Sequence, residues 1–273
     1  MLLSIVIRNL NEAAALKRTL LSVKRQQVDF AYEVIVVDNE SDDDSVEIAN
    51  DFNCKVISLK RSEFTFGHAL NYGIQHAQGA YVLILSAHIL LLNEYFLKSL
   101  PAYFEQVQVA GLRFINAADN AGAEAAIEFG PQEIAAGKNV LNEHWQHLTI
   151  NHCAAVRKSA WEKVHFDATI FAGEDKKWAL DVLNAGYKLL YNVPCFYTYN
   201  RTLSRQQKIK RQAIETAAKE LLTGKKEQQF NGSLVAVTLR RIGKEFRRSY
   251  AQLQVNSAVY KSINELRKKH FNR

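Results

Sequence analysis

A chain of 273 residues allows one large domain or a domain with an appendage, and an apolar fraction of 48% is ample for a buried core. Three cysteines (Cys54, Cys153, Cys195) without CxxC spacing suggest neither a disulfide framework nor a zinc site, and a reducing cytoplasm is the simplest compartment. The net charge of +7 is uneven: residues 205–273 carry 17 Lys and Arg against 5 Asp and Glu, and residues 1–204 carry 18 against 23, so the basic tail fits an anionic partner, phospholipid or nucleic acid.

The apolar start MLLSIVIRNL has no basic n-region and Arg8 interrupts it, so residues 2–7 read as a buried strand rather than a signal peptide. No apolar run approaches the ~20 residues of a membrane span. Asn11 is expected to cap a helix over about 12–26, with Leu16, Leu20 and Val23 on one face. Residues 32–37 (YEVIVV) form a second strand. The polar run Asp38 to Ser45 and a helix carrying Val46, Ala49 and Phe52 follow it, and residues 55–59 form a third strand. A helix over 67–77 ends near Gly79. A strand over 80–85 comes next and breaks into Ser86-Ala87-His88.

This is a β-α-β-α-β-α-β pattern with short connections. Strands that are apolar without alternation are buried on both faces, as in a parallel sheet covered by helices. The first 90 or so residues therefore predict a doubly wound, nucleotide-binding half, with its site beyond the carboxyl ends of the strands. Neither GxGxxG nor GxxxxGK[ST] is present, so a dinucleotide or P-loop reading lacks its phosphate cradle. Asp38 either accepts from a ribose or base N–H, or forms an Asx-type turn with Ser41 that caps the next helix.

Beyond His88, Asn93 is expected to cap a helix over 94–100, where Pro101 either kinks it or starts another. Residues 107–114 read as a strand. Residues 116–146 are less regular, an insertion fit to form a substrate wall. Residues 148–156 read as a strand and 159–164 as a short helix. Phe171-Ala172-Gly173-Glu174-Asp175 opens a helix that Gly186 stops, and a last strand over 188–193 ends at Pro194. The tail is helical. One stripe is Ile209, Ala213, Ile214, Ala217 and Leu221; a second is Val235, Leu239, Ile242, Phe246 and Leu253, with Arg240, Arg241, Lys244, Arg247 and Arg248 on its polar side. A basic amphipathic helix either lies on a membrane surface or packs on the domain with a solvated face.

Four motifs stand in fixed order: VIRNLNEA, VIVVDNESDDDS, FTFGHALNYGI…GAYVLILSAH and FAGEDKKWALDVLNAGYKLLYNVP. Together, over about residues 2–200, they resemble the GT-A fold, family 2 glycosyltransferases, especially the rhamnosyltransferase-like branch. That resemblance implies an α/β fold with a Rossmann-like nucleotide-binding half, a mostly parallel sheet with helices on both faces, and a domain over 1–204. Residues 205–273 are then a basic amphipathic helical extension. It also implies inverting transfer of a sugar from a UDP- or dTDP-type donor to an acceptor hydroxyl, in cell-surface polysaccharide or glycolipid synthesis. The expected compartment is cytoplasmic, with the basic tail at the inner face of the plasma membrane as its expected peripheral site.

Carried over residue by residue, the resemblance puts Asn9 and Glu12 in the nucleotide pocket, Asp38 on the base, and Ser41 and Asp43 in its loop. Gly67, Ala69 and Asn71 pass under the donor, and Arg61 and Arg201 are candidates for the diphosphate. Glu174-Asp175 matches the family's acidic pair, which makes Asp175 the general base that takes the acceptor's proton in an inverting transfer, and a helix N-terminus favours its anion; the other reading of the pair is a helix N-cap. Glu174 and Trp178 are expected on the acceptor side, with Trp145, His147 and His152 nearby and Tyr197, Tyr199 and Asn200 after the last strand. Ser86-Ala87-His88 stands where relatives carry an acidic metal-binding trio. The implied divalent cation, Mn²⁺ or Mg²⁺, is thereby put in question, since such ions prefer carboxylate oxygens. His88 either ligates an ion, touches the pyrophosphate, or packs in a chain that binds nucleotide-sugar without catalysis. Nucleic-acid binding through the tail is the reading from another class.

Overall fold

The computed structural model describes residues 2–225 and Lys261. Its first half is β1 (Leu3–Asn9), α1 (Ala13–Lys24), β2 (Tyr32–Asp38), α2 (Ser45–Asp51), β3 (Lys55–Ser58), α3 (Phe66–Gln75) and β4 (Tyr81–Ser86). β1 pairs in parallel with β2 and β4, and β2 with β3. Side chains alternate across these strands: Leu3, Ile5 and Ile7 enter one core with Leu16, Leu20 and Phe96, while Val6 enters the other with Leu70, Ile74 and Trp178. Burial on both faces is why these strands read as unbroken apolar runs.

The second half is β5 (Ile89–Leu91), α4 (Phe96–Tyr103), β6 (Val109–Asn116), α5 (Asn120–Phe129), β7 (Gln132–Ile134), α6 (Val140–His144), β8 (Cys153–Arg157), α7 (Lys158–Trp161), α8 (Glu174–Asn184) and β9 (Lys188–Tyr199). The strand order is β3-β2-β1-β4-β8-β6-β9-β5, with β7 also on β9. β8 is antiparallel to β4 and β6, β6 is parallel to β9, and β5 and β7 are antiparallel to β9. The sheet is thus mostly parallel and helix-covered, as expected. The carboxyl ends of β1, β2, β4, β6 and β9 share one edge. An antiparallel strand brings its beginning to that edge, so residues 151–152 before β8 and His88 before β5 arrive there too.

Several expected details differ. Asn11 does not cap α1. It has a left-handed φ of 52°, and its Oδ1 accepts from the Asp42 N–H at 2.7 Å, across to the loop after β2. Asn93 stands two residues ahead of Tyr95, the residue that precedes α4; its Oδ1 accepts from the Tyr95 N–H, while Gln26, just past the end of α1, accepts from the Leu97 N–H at 3.0 Å. Pro101 lies inside α4. β8 begins at Cys153 rather than 148. β9 runs straight through Pro194, because the β6–β9 register shifts between Phe114 and Ile115, and proline is tolerated at such a bulge. The supposedly irregular insertion holds α5, whose Asp119 side chain accepts from the Gly122 N–H.

The chain divides into two compact units, 1–201 and 202–273. In the second, α9 (Arg205–Thr223) opens with a capping box of Ser204 and Gln207 and buries Ala213, Ala217 and Ala218. Of the expected stripe, Leu221 is 37% exposed. The second stripe, from Val235 to Leu253, and its basic face lie outside the described residues.

Candidate active site at the carboxyl edge of the sheet

At the ends of β1 and β2, side chains knit two loops together. Asp38 is 3% exposed. Its Oδ1 accepts from Asn9 Nδ2 at 3.0 Å and from Ser41 Oγ at 2.6 Å, and its Oδ2 accepts from the Ser41 N–H at 2.9 Å. That is an Asx turn braced by a neighbouring strand. Ser41 Oγ also accepts from Asn9 Nδ2 at 3.1 Å and from the Asn11 N–H at 2.9 Å. Asp43 accepts from the Ala13 N–H at 2.9 Å, joining the loop to the start of α1, and from the Ser45 N–H at the start of α2. The Arg61 guanidinium is engaged by Asp42 and the Glu40 carbonyl, and holds the Asp42 carboxyl below its ordinary pKa. Arg201 bonds Glu12 at 3.3 Å, so expected donor-side residues from opposite ends of the first unit meet. Asn9, Glu12, Asp38, Ser41, Asp43, Arg61 and Arg201 thus all lie along the loops after β1, β2, β3 and β9.

The second group surrounds the start of α8. Gly173 precedes it with φ 80°, a left-handed backbone that glycine adopts without strain. Glu174 and Asp175 are 2% and 3% exposed. Asp175 Oδ2 accepts from the Ile150 N–H at 3.2 Å and its Oδ1 from the Lys176 N–H at 2.9 Å. Glu174 Oε1 accepts from Asn151 Nδ2 at 3.3 Å. Burial, and then the adjoining Asp175 carboxyl, raise the Glu174 pKa to about 7 against the opposing pull of Arg8. Arg8, next to last in β1, donates to the Asn151 carbonyl at 2.7 Å. His152 Nδ1 meets Asn151 Oδ1 and its Nε2 meets the Tyr197 hydroxyl, each at 3.0 Å. Two adjoining buried carboxyls repel, so a proton on one relieves the charge on the other.

The third group follows β4. The Ser86 N–H donates to the His152 carbonyl at 2.9 Å and the His88 carbonyl accepts from the Asn200 N–H at 2.8 Å, which pins the trio between β8 and the end of β9. The His88 ring, 8% exposed, stands edge-on to Tyr199 at 4.4 Å between centroids. Among the described residues no three His, Cys, Asp or Glu side chains converge as a metal-binding group.

Other expected residues sit elsewhere. Trp178, expected on the acceptor side, is 0% exposed, stacks on Phe166 at 5.1 Å and donates to the Val164 carbonyl; a covered ring has no face to offer a sugar. Asn71 holds the segment after α7, its Oδ1 accepting from Trp161 Nε1 and the Phe166 N–H, its Nδ2 donating to the Phe166 carbonyl. Gly67 lets α3 approach residues 167–168, where an added Cβ would lie 2.3 Å from the Asp167 carbonyl oxygen. The His147 ring lies tilted by 30° against Tyr191, with centroids 4.1 Å apart, and burial, then Arg113 and His144, push its pKa down to about 4. Arg8 and Asn151 carried no expectation. The signal for Arg8 was there: a cation at the end of a strand buried on both faces.

Comparison with known proteins bears on the fold and the family. The chain is 22% identical over 196 residues to the O-antigen chain rhamnosyltransferase WbaN of Salmonella anatum; the match covers 68% of this chain and 62% of that protein, so the chain spans less than two thirds of that relative's length. Among solved structures it is similar to the mannosyltransferase PcManGT from Pyrobaculum calidifontis in complex with GDP-Man and Mn²⁺, with TM-score 0.66 and 15% identity over 99% of this chain and 88% of that one. S. aureus TarS 1-349 in complex with UDP-GlcNAc gives TM-score 0.61 and 14% identity, covering 96% and 82%. Glucosyl-3-phosphoglycerate synthase from Mycobacterium tuberculosis in complex with Mg²⁺ and UDP gives 0.60 and 16%, covering 82% and 78%. At these identities the structural likeness is one of fold. The sequence profile described as Glycosyl transferase family 2 matches residues 4–164, more than half of the chain, and the chain belongs to that family.

Proposed function

We propose that this chain transfers a sugar, with inversion, from a UDP- or dTDP-type nucleoside-diphosphate donor to an acceptor hydroxyl. The observation that carries the reading is the buried Glu174–Asp175 pair at the start of α8, on the sheet edge where α/β folds bind their ligands. In that reaction the acceptor oxygen bonds the anomeric carbon, the bond from that carbon to the diphosphate oxygen breaks, and Asp175 takes the hydroxyl proton. Two backbone N–H donors and the helix N-terminus stabilise Asp175 as the anion. Asn9, Asp38 and Ser41 shape the nucleotide side, and Arg201 and His88 lie toward the diphosphate.

The likeness to WbaN, an O-antigen chain rhamnosyltransferase, supports a deoxyhexosyl or hexosyl transfer in surface polysaccharide synthesis. PcManGT and the synthase above hold Mn²⁺ or Mg²⁺. Here the strand end is Ser86-Ala87-His88, without a carboxylate, and the described residues do not make a site for such a hard ion by themselves. No step above runs through one. The basic extension suits an anionic membrane surface, and on this reading the reaction runs at the cytoplasmic face.

A donor panel tests the reading: UDP-, dTDP- and GDP-sugars by thermal shift, with and without Mn²⁺ or Mg²⁺, followed by nucleoside-diphosphate release with saccharide acceptors. Asp175→Asn is expected to cut turnover by about 10²–10⁴-fold while nucleotide affinity stays unchanged. Undiminished turnover in that variant removes Asp175 from the mechanism. Nucleotide binding without release, whatever ion is added, favours a non-catalytic binder.

A further inference from the structure

Arg8 lies on the sheet face that α3 and α8 cover. Val6, two residues before it, is in the core with Trp178, Ala179 and Val182 of α8. In register it stands between Val37 of β2 and Ser86 of β4, so its backbone is fixed from both sides. Its guanidinium lies over the Phe66 ring, 5.2 Å from the centroid, and bonds the Asn151 carbonyl. The two residues ending there each hold one carboxyl: Ile150 through its N–H to Asp175, Asn151 through its side chain to Glu174.

We propose that Arg8 is the positioning cation of the carboxyl pair, fixing through Asn151 the segment on which Glu174 and Asp175 both rest and setting its charge against both of them. This rests on the reading of Asp175 as the base. Two adjoining carboxyls in a dry site repel, and the proton that relieves the repulsion can sit on either one. A fixed cation limits that protonation and keeps a carboxylate available at neutral pH. The interaction is mutual: both carboxyls favour the charged form of Arg8, which burial disfavours. The charged and titratable groups around Glu174 are Asp175 beside it, Arg8 from β1, and His152, which reaches it through Asn151 and is itself bonded to Tyr197. Lys176, the next residue of α8, directs its ammonium to Thr149 Oγ1 at 2.8 Å and to the Trp145 ring. Arg8 does not touch the reacting atoms in this scheme; it acts through the pair.

The test uses the full chain with Arg8→Met and Arg8→Lys. Two quantities are read: the pH profile of turnover, and the titration of the pair by NMR of carboxyl-labelled Asp and Glu, assigned with Glu174→Gln and Asp175→Asn. In Arg8→Met the acidic limb of kcat and the pair's titration are both expected to move up by about one pH unit, with donor KM within about twofold, and Arg8→Lys is expected to restore most of both. A titration that does not move in Arg8→Met overturns the proposal, and a kcat lowered equally at every pH then marks a structural strut. If the wild type transfers no sugar but the titration moves, the functional reading fails and the role of Arg8 stands. Should Arg8→Met not fold, Arg8→Met in the Glu174→Gln background leaves one charge fewer to balance. There the Asp175 titration must lie above that of Glu174→Gln alone, and an equal value overturns the proposal.

Discussion

Glu174 and Asp175 are consecutive, equally buried and differently held, and that difference sets their chemistry. Asp175 rests on the N–H groups of Ile150 and Lys176, Glu174 on the Asn151 side-chain amide and its own backbone N–H. The Glu174 pKa rises from an ordinary 4.5 to about 7, through burial and then Asp175. The folded state therefore binds more protons than the unfolded chain between those two values, so the contribution of Glu174 to stability falls as pH rises through that window. Glu174→Gln is expected to gain up to about 3 kcal/mol over the wild type above pH 7 and almost nothing below pH 4.5, read as urea midpoints at pH 4, 6 and 8. A difference independent of pH would mean that the carboxyl titrates alike in both states. At this scale the Asx turn of Asp38 with Ser41 was legible, because a carboxylate and a hydroxyl three residues apart after a buried strand form it from local sequence alone. Asn151 was not: its partner carboxyl is 23 residues away, and nothing local marks the pairing.

At the scale of elements, α3 and α8 position the site through close packing. Thr65 caps α3, accepting from the His68 N–H and donating to the Ala168 carbonyl, both at 3.0 Å, so one side chain starts the helix and anchors the segment before α8. Gly67 allows that approach. In Gly67→Ala the new Cβ would meet backbone at 2.3 Å, and backbone cannot rotate aside. Alanine's helix propensity returns about 1 kcal/mol, less than the roughly 1–3 kcal/mol that overpacking costs. A net loss of stability is expected in thermal melts, with weakened donor binding if α3 shifts; an unchanged melting temperature would show that residues 167–168 yield freely. The helices and parallel strands were readable from their periods. β5 and β7, three residues each, were not, since such short strands exist only because β9 offers edges to pair with.

For the whole molecule, charge separates the two units. The acidic excess belongs to residues 1–201, and the basic excess to residues 202–273. If that extension seeks an anionic surface, the full chain should cosediment with vesicles containing an acidic phospholipid but not with neutral ones. Release at about 1 M salt is expected, where the Debye length falls to roughly 3 Å. Equal binding to neutral vesicles would point to apolar insertion instead.

The sequence alone determined the α/β class, the parallel β1–β4 half and the polar residues at the ends of its strands. Period and local polarity are properties of neighbouring residues, so they survive without a structure. Only the tertiary structure decided that β8 and β5 run against the others and so deliver Asn151, His152 and His88 to the edge where β1 and β4 end. Only it turned Trp178 into core and drew Arg8 to the carboxyl pair, because these contacts join residues far apart in the chain, and burial, unlike period, is set by what packs on top.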